Sequence, residues 1–341
     1  MSGVFSTHFT KETGMLKFKW KHAFILLAFA WGIAFGQAPP AISRDMLPDY
    51  VAKNYVKKDA LSFVIFGDWG RNGYFHQREV GDEMGLVAEA MGADFIISAG
   101  DNFQVNGVRS ISDPLWQTNF ENIYTHPSLL KDWYPVLGNH DYLGNPQAEI
   151  DYSKISRRWN MISRYYTVHK KVADSCNVDF YFLDTSPFQK LYRKDKRFSD
   201  LDQQDTLAQL HWLDSALTAS KSRWKIVVGH HPVYSGGEHA SDLVDMPPRF
   251  ADRFSRSGVD AYFSGHDHHF EHIRQKGGSV NYFIVGTGSS VRPVTSTPAT
   301  LFSKSISGFT AVYISKDTLT VRAIDYKGNI FYSAAITKTP N

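Results

Sequence analysis

The stretch Ala261-Tyr262-Phe263-Ser264-Gly265-His266-Asp267-His268 sets a pattern: an apolar run ends in glycine, and a residue able to bind metal follows. Four more copies lie upstream. Phe63-Val64-Ile65-Phe66-Gly67 leads to Asp68, and Ile96-Ile97-Ser98-Ala99-Gly100 leads to Asp101. Pro135-Val136-Leu137-Gly138 leads to Asn139, and Ile226-Val227-Val228-Gly229 to His230. In an open α/β sheet, ligands collect beyond the carboxyl ends of the strands, where successive loops converge. Glycine there turns the chain sharply and lets the backbone approach a bound ion with no Cβ in the way. A Gly-Asp pair after one strand is usually only a turn, and His-Asp-His alone can be a polar loop. Together the five strand ends bring two carboxylates, one amide and three imidazoles into one cleft. Oxygen and nitrogen donors without thiolate suit iron, zinc or manganese. Six are too many for one open site and suit two ions that share a bridging carboxylate.

Outward from these blocks, short strands alternate with helices. The expected strands are Leu61–Phe66, Asp94–Ser98, Trp133–Leu137, Val178–Leu183, Trp224–Val228 and Val259–Phe263. Val80, Met84, Val87, Ala88 and Met91 recur at helical spacing after the first, and Leu207, Leu210, Leu213 and Leu217 do so after the fourth. Beyond residue 280 only strands follow, at Asn281–Val285, Gly308–Ile314, Thr318–Ala323 and Ile330–Ala335. The pattern predicts an α/β fold with a mixed, layered sheet, and 61–335 contains nothing that reads as an interdomain linker.

The whole chain of 341 residues, 43% hydrophobic and 14% aromatic, has the composition of a globular protein. Lys17, Lys19 and Lys21 precede an uncharged run from Ala23 to Phe35, too short to span a bilayer but suited to a signal-peptide core. The reading is a signal peptide over 1–36, a lead-in over 37–60 and a single domain over 61–335, with an exported product, secreted or periplasmic. Removing the four lysines and one glutamate of the signal from the 37 basic and 34 acidic residues leaves 33 of each. A neutral body argues against nucleic-acid binding and against stable membrane association after cleavage. The single cysteine, Cys176, excludes an intramolecular disulfide and reads as a buried free thiol. His126, His169, His211 and His272 read as ordinary surface or helix-cap residues.

Gly67-Asp68-Trp69-Gly70, Gly100-Asp101-Asn102-Phe103, Gly138-Asn139-His140-Asp141, Gly229-His230 and Gly265-His266-Asp267-His268 resemble the five blocks of calcineurin-like metallophosphoesterases. More narrowly the chain resembles the small tartrate-resistant (purple) acid phosphatases. That likeness extends to Gly92-Ala93-Asp94-Phe95-Ile96, Tyr152-Ser153-Lys154-Ile155-Ser156, Leu183-Asp184-Thr185 and Gln209-Leu210-His211-Trp212-Leu213. The resemblance implies a layered αββα fold, a mixed-sheet sandwich flanked by helices. It puts Asp68, Asp101 and His268 on a first metal and Asn139, His230 and His266 on a second, with Asp101 bridging. It matches His140 and His239 to the family's two histidines beside the metals. One position departs: where the purple enzymes carry a tyrosine ligand, three residues after the bridging aspartate, this chain has Gln104. That makes ferric iron doubtful, whereas two divalent ions would carry the same net charge. The basic group Lys190, Arg193, Lys194, Lys196 and Arg197 reads either as a solvated loop or, by its position in 188–205, as the loop that restrains activity in mammalian members.

The implied reaction is hydrolysis of small phosphate monoesters by a metal-bound hydroxide at a dinuclear centre. His140 would contact the phosphoryl oxygens, and His239, with His140 as second choice, would protonate the leaving alkoxide. The alternatives are a phosphodiesterase or nucleotidase on the same metals, or a catalytically weak protein that binds metal or phosphate. The natural substrate and the oligomeric state are not legible.

Overall fold

The computed structural model describes residues 59–172, 176–198 and 200–339. The expected signal peptide and nearly all of the lead-in lie outside the described residues. Thirteen strands are found among those described, beginning with β1 (Leu61–Phe66), β2 (Phe95–Ser98), β3 (Trp133–Pro135), β4 (Tyr166–Val172) and β5 (Cys176–Phe182). They continue as β6 (Trp224–Val228), β7 (Ala261–Ser264), β8 (Phe270–Ile273) and β9 (Asn281–Val285). The last four are β10 (Thr300–Lys304), β11 (Gly308–Ile314), β12 (Thr318–Asp325) and β13 (Ile330–Thr337). One sheet runs β13-β12-β11-β1-β2-β3 and the other β10-β8-β9-β7-β6-β5-β4. Each mixes directions: β1, β2 and β3 are parallel, as are β5, β6, β7 and β9, while the remaining neighbours are antiparallel.

The strand sequences explain the layering. In the second sheet Phe180, Phe182, Ile226, Val228, Ala261, Phe263, Phe283 and Val285 join the core shared with the first sheet. The residues between them, Tyr181, Val227, Tyr262, Tyr282 and Ile284, join a second core with Leu213, Leu217, Phe250 and Phe254 of two helices. Alternation by two thus sends successive side chains to opposite faces, and both faces are covered, so the strands read as continuous apolar runs. The inner faces meet through aromatics: the Phe63 ring lies 5.4 Å from Phe180 and 6.5 Å from Phe263. On the first sheet the helix Gln77–Met91 buries Val80, Met84, Val87, Ala88 and Met91, the five positions its spacing predicts. The helix Thr206–Ala219 keeps only half of its expected stripe: Leu213 and Leu217 are buried, while Leu207 is exposed.

Three strands escaped the sequence reading: β4, β8 and β10. Tyr166–Val172 carries His169, Lys170 and Lys171, and Phe270–Ile273 has only four residues, two of them polar. Their pairing comes from tertiary partners and not from their own apolar content. His272 corrects the surface reading. It is buried on β8, stacks on Phe283 at 4.2 Å and bonds Tyr332 Oη and Asn281 Oδ1. His126 does cap a short helix by accepting from Ser128 N, and Cys176 is buried.

A polar clamp beneath the strand ends couples the two sheets. Tyr142 Oη donates to Asp184 Oδ2 and accepts from Arg164 Nη1 at 2.7 Å. Burial pushes the Asp184 carboxyl up to about 7, against the pull of Arg164. Raised above its ordinary value of 3.8, this carboxyl binds its proton more tightly in the folded chain than in the unfolded one. Its contribution to stability is therefore present at acidic pH and falls as pH rises from about 4 to about 7, by on the order of 4 kcal/mol at most. Asp184→Asn should remove that slope. The melting temperature of the variant relative to the parent should rise by several degrees between pH 5 and pH 7.5 in thermal melts. An offset independent of pH would contradict this assignment.

Candidate metal centre

The ends of β1, β2, β3, β6 and β7 meet where the two sheets are stitched together. Gly67 N bonds Val285 O of the second sheet at 3.0 Å, and Gly288 N bonds Gly67 O at 2.9 Å. The loops after β1 and β2 run side by side, with Asp68 N on Gly100 O at 3.0 Å and Trp69 N on Asp101 O at 3.3 Å. The sharp turn was expected at the glycines. Gly100 does take a left-handed backbone (φ 89°), and so do the residues that follow three of the glycines, Asp68 (φ 61°), Asp101 (φ 49°) and His266 (φ 69°). Asp and His both adopt this conformation more readily than most residues, and at His266 the turn is held by its N–H on Asp68 Oδ2. The glycines serve close approach. A Cβ on Gly138 would stand 2.1 Å from Asp101 Oδ1, and one on Gly265 would stand 2.4 Å from Asp68 Oδ2.

All six residues that the resemblance assigned to metal are buried and converge. His268 Nε2 lies 3.3 Å from Asp68 Oδ1. His230 Nε2 lies 3.3 Å from Asp101 Oδ1 and 3.2 Å from Asn139 Oδ1, and His266 Nδ1 lies 2.9 Å from Asn139 Oδ1. Donors about 2.1 Å from one ion at tetrahedral or octahedral angles sit about 3.0–3.4 Å apart, so this spacing fits a shared cation. His266 Nε2 is also buried without a hydrogen-bond partner. Electrostatics agrees. Burial opposes the charged form of His230, but Asp101 outweighs it and holds this imidazole at about 9. Asp101, despite the same burial, is held well below the usual carboxylate range by His230 and His140. The cluster thus keeps positive charge next to its carboxylates, the role a cation would take over by displacing the proton.

Gln104 stands among the first set of donors, its Nε2 3.1 Å from Asp101 Oδ2 and 3.4 Å from both Asp68 Oδ1 and His268 Nε2. Its orientation is dictated by Arg71, whose Nη2 bonds Gln104 Oε1 at 2.8 Å. A guanidinium only donates, so the amide oxygen must face it and the NH₂ must face the carboxylates. Gln104 therefore offers the cluster donor hydrogens and no oxygen ligand.

His140 Nδ1 faces Val105 O at 3.1 Å, a carbonyl turned by a residue at φ 96°. A carbonyl only accepts, so Nδ1 carries a proton and Nε2 is free toward the cluster, 3.9 Å from Asp101 Oδ2. His239 is set by Asp267 Oδ1, which accepts its backbone N–H at 3.0 Å, and its ring lies 4.9 Å from that of His266. Arg292 Nη1 donates to His239 Nε2, and Nδ1 faces Asp242 Oδ2 at 3.3 Å. In this arrangement Nε2 is a lone pair, and the guanidinium has to withdraw before that nitrogen can hold a proton. Asp141 braces the whole mouth by accepting from Gly138 N, Phe103 N and Asn102 N at 2.8, 3.0 and 3.1 Å.

Sequence reasoning missed His231, whose donor atom lies within 4.8 Å of those of His230 and His266. Thr185 Oγ1 accepts from His230 N and His231 N, so its own proton goes to His231 Nδ1 at 2.9 Å. His231 Nε2 then carries a hydrogen and is not free to ligate. The only signal for it was the doubled histidine after Gly229. The basic segment after residue 188 is no merely solvated loop either. Lys190 pairs with Asp245, Arg193 bonds three carbonyls, and Tyr192 between them lays its ring 5.5 Å from that of His231.

Known proteins are similar to this chain. The calcineurin-like phosphoesterase family matches residues 61–270. Purple acid phosphatase 7 of Arabidopsis thaliana is 35% identical over 303 residues, covering 84% of this chain and 90% of its own. Human tartrate-resistant acid phosphatase type 5 is 34% identical over 301 residues, covering 82% and 91%. Among solved structures, GAP50, the anchor in the inner membrane complex of Plasmodium, superposes with a TM-score of 0.72 at 24% identity over 83% of this chain and 90% of its own, a likeness of fold. Sequence blocks, two-sheet fold and buried donor cluster agree: the chain belongs to the calcineurin-like phosphoesterases, in their purple, tartrate-resistant acid phosphatase branch of metal-dependent phosphatases.

Proposed function

We propose that the centre hydrolyses small phosphate monoesters with Asp68, Asp101 and His268 on one cation and Asn139, His230 and His266 on the other. The observation that carries this reading is the split of Asp101, whose Oδ1 faces His230 while its Oδ2 faces the Gln104, Asp68 and His268 group. A carboxylate shared in this way is what a bridging ligand requires. When bound, the two cations supply an acidified water as nucleophile and neutralise phosphoryl charge. Around them, His140 Nε2 faces the phosphoryl oxygens and His239 Nε2 serves the leaving oxygen once Arg292 yields it. Because Gln104 supplies neither a phenolate nor an oxygen, the centre suits two divalent ions, iron, manganese or zinc, better than a ferric–divalent pair. The neutral mature body supports a soluble exported enzyme that acts on small phosphorylated molecules and not on nucleic acid. Among the described residues no helix is long and apolar enough to cross a membrane.

Hydrolysis of p-nitrophenyl phosphate against bis-p-nitrophenyl phosphate tests the reaction class. The parent should favour the monoester by at least about tenfold, and Asp101→Ala should abolish turnover and lower metal content. Preference for the diester would move the chain to the phosphodiesterase reading, and an Asp101→Ala variant with near-normal turnover would refute the site.

The histidine roles separate by leaving group. His239→Ala should slow an alkyl phosphate, whose alkoxide needs a proton, at least about tenfold more than p-nitrophenyl phosphate. Equal losses in kcat on the two substrates would transfer the acid role to His140 or water.

A further inference from the structure

Two arginines flank the donor cluster, each resting on a residue of the centre. Arg71 holds the Gln104 oxygen through Nη2, yet its Nε is buried with no hydrogen-bond partner. Arg292 bonds His268 O through its backbone N–H at 2.8 Å and reaches His239 Nε2 through Nη1. Its Nε stands 3.7 Å from Glu238, a surface carboxylate. The two guanidiniums feel one another: burial first and Arg292 second lower the pKa of Arg71, while Asp68 and Asp101 raise it. Like charges gathered in a partly desolvated place are unfavourable unless an anion joins them.

Charge counting shows what that anion is for. Two divalent ions less the charges of Asp68 and Asp101 leave a net of two positive charges, or one once a hydroxide nucleophile is bound, and a phosphomonoester dianion then leaves an excess of one negative charge. The arginine pair adds two positive charges, which turns that excess into one net positive charge at the rim, and Glu238 at the surface, 3.7 Å from Arg292, offsets part of it. We propose that Arg71 and Arg292 form an anion subsite at the rim of the metal centre, and that it takes a second acidic group of the substrate, a carboxylate or further phosphate a few bonds from the ester cleaved. This rests on the phosphomonoesterase reading and names its substrate class: phosphomonoesters with a second anion. The planar guanidinium fork matches either oxyanion. The same anion draws Arg292 away from His239 Nε2, so occupation of the subsite opens that nitrogen to the leaving oxygen.

Isothermal titration calorimetry on metal-loaded protein tests this with three non-hydrolysable probes: methylphosphonate, phosphonoacetate, which adds a carboxylate, and methylenebisphosphonate, which adds a second phosphonate. The parent should bind at least one of the doubly anionic probes about tenfold or more tightly than methylphosphonate, and the stronger one identifies the partner group. Arg71→Gln and Arg292→Gln should each lose most of that margin. Arg292 keeps 32% of its side chain exposed, so its replacement leaves the fold intact. Equal affinities in the parent would overturn the subsite, as would a margin that survives both substitutions, which would belong to the metals. Methylphosphonate binding without a margin, with p-nitrophenyl phosphate still hydrolysed, overturns the subsite alone. No probe bound and no monoester hydrolysed overturns the phosphatase reading and the subsite with it.

Discussion

Two carboxylates, Asp68 and Asp101, are buried side by side at the ends of adjacent parallel strands, and the rest of the site is organised around compensating them. Taking like charges out of water costs several kcal/mol per ion unless cations and hydrogen bonds replace the solvent. The chain surrounds them with imidazoles from His230 and His268, the Gln104 amide, and the backbone N–H groups of His140 and His266. It holds them with glycines whose missing Cβ atoms leave room for the carboxylate oxygens. Such crowding serves nothing in a purely structural core. It is what a cation site looks like before the cation displaces its protons.

The fold and the convergence of the six candidate donors were legible because both depend on local sequence. A strand buried on two faces must be apolar throughout, and a ligand beyond its end must follow a residue small enough to let it turn in. Five repeats of that arrangement gave β1, β2, β3, β6 and β7 and the order of the donors. What the sequence hid depends on partners far along the chain. Glu271 and His272 sit in a buried strand because Gly236 N and Thr300 Oγ1 satisfy the one, and Tyr332 and Asn281 the other. His231 reaches the site through Thr185, and Tyr192 through a segment whose basic residues looked solvated. The left-handed backbone at Asp68 and His266 was not legible, because the preference of glycine for that region is local while the turn at His266 is held by Asp68, which accepts its N–H.

Gln104 shows how one substitution propagates. Opposite a guanidinium, an amide has only one way to face, so Arg71 converts Gln104 from an oxygen ligand into a hydrogen-bond donor toward Asp68 and Asp101. In the proposed centre, the missing phenolate charge and the nearby Arg71 cation would act in the same direction, lowering the positive charge the metals can carry.

The most direct test is the metal content and visible spectrum of protein purified aerobically without chelator. The account predicts two divalent ions per chain and a colourless solution, with no tyrosinate-to-iron absorption. A purple protein with stable ferric iron, or full phosphatase activity with fewer than two ions per chain, would contradict it.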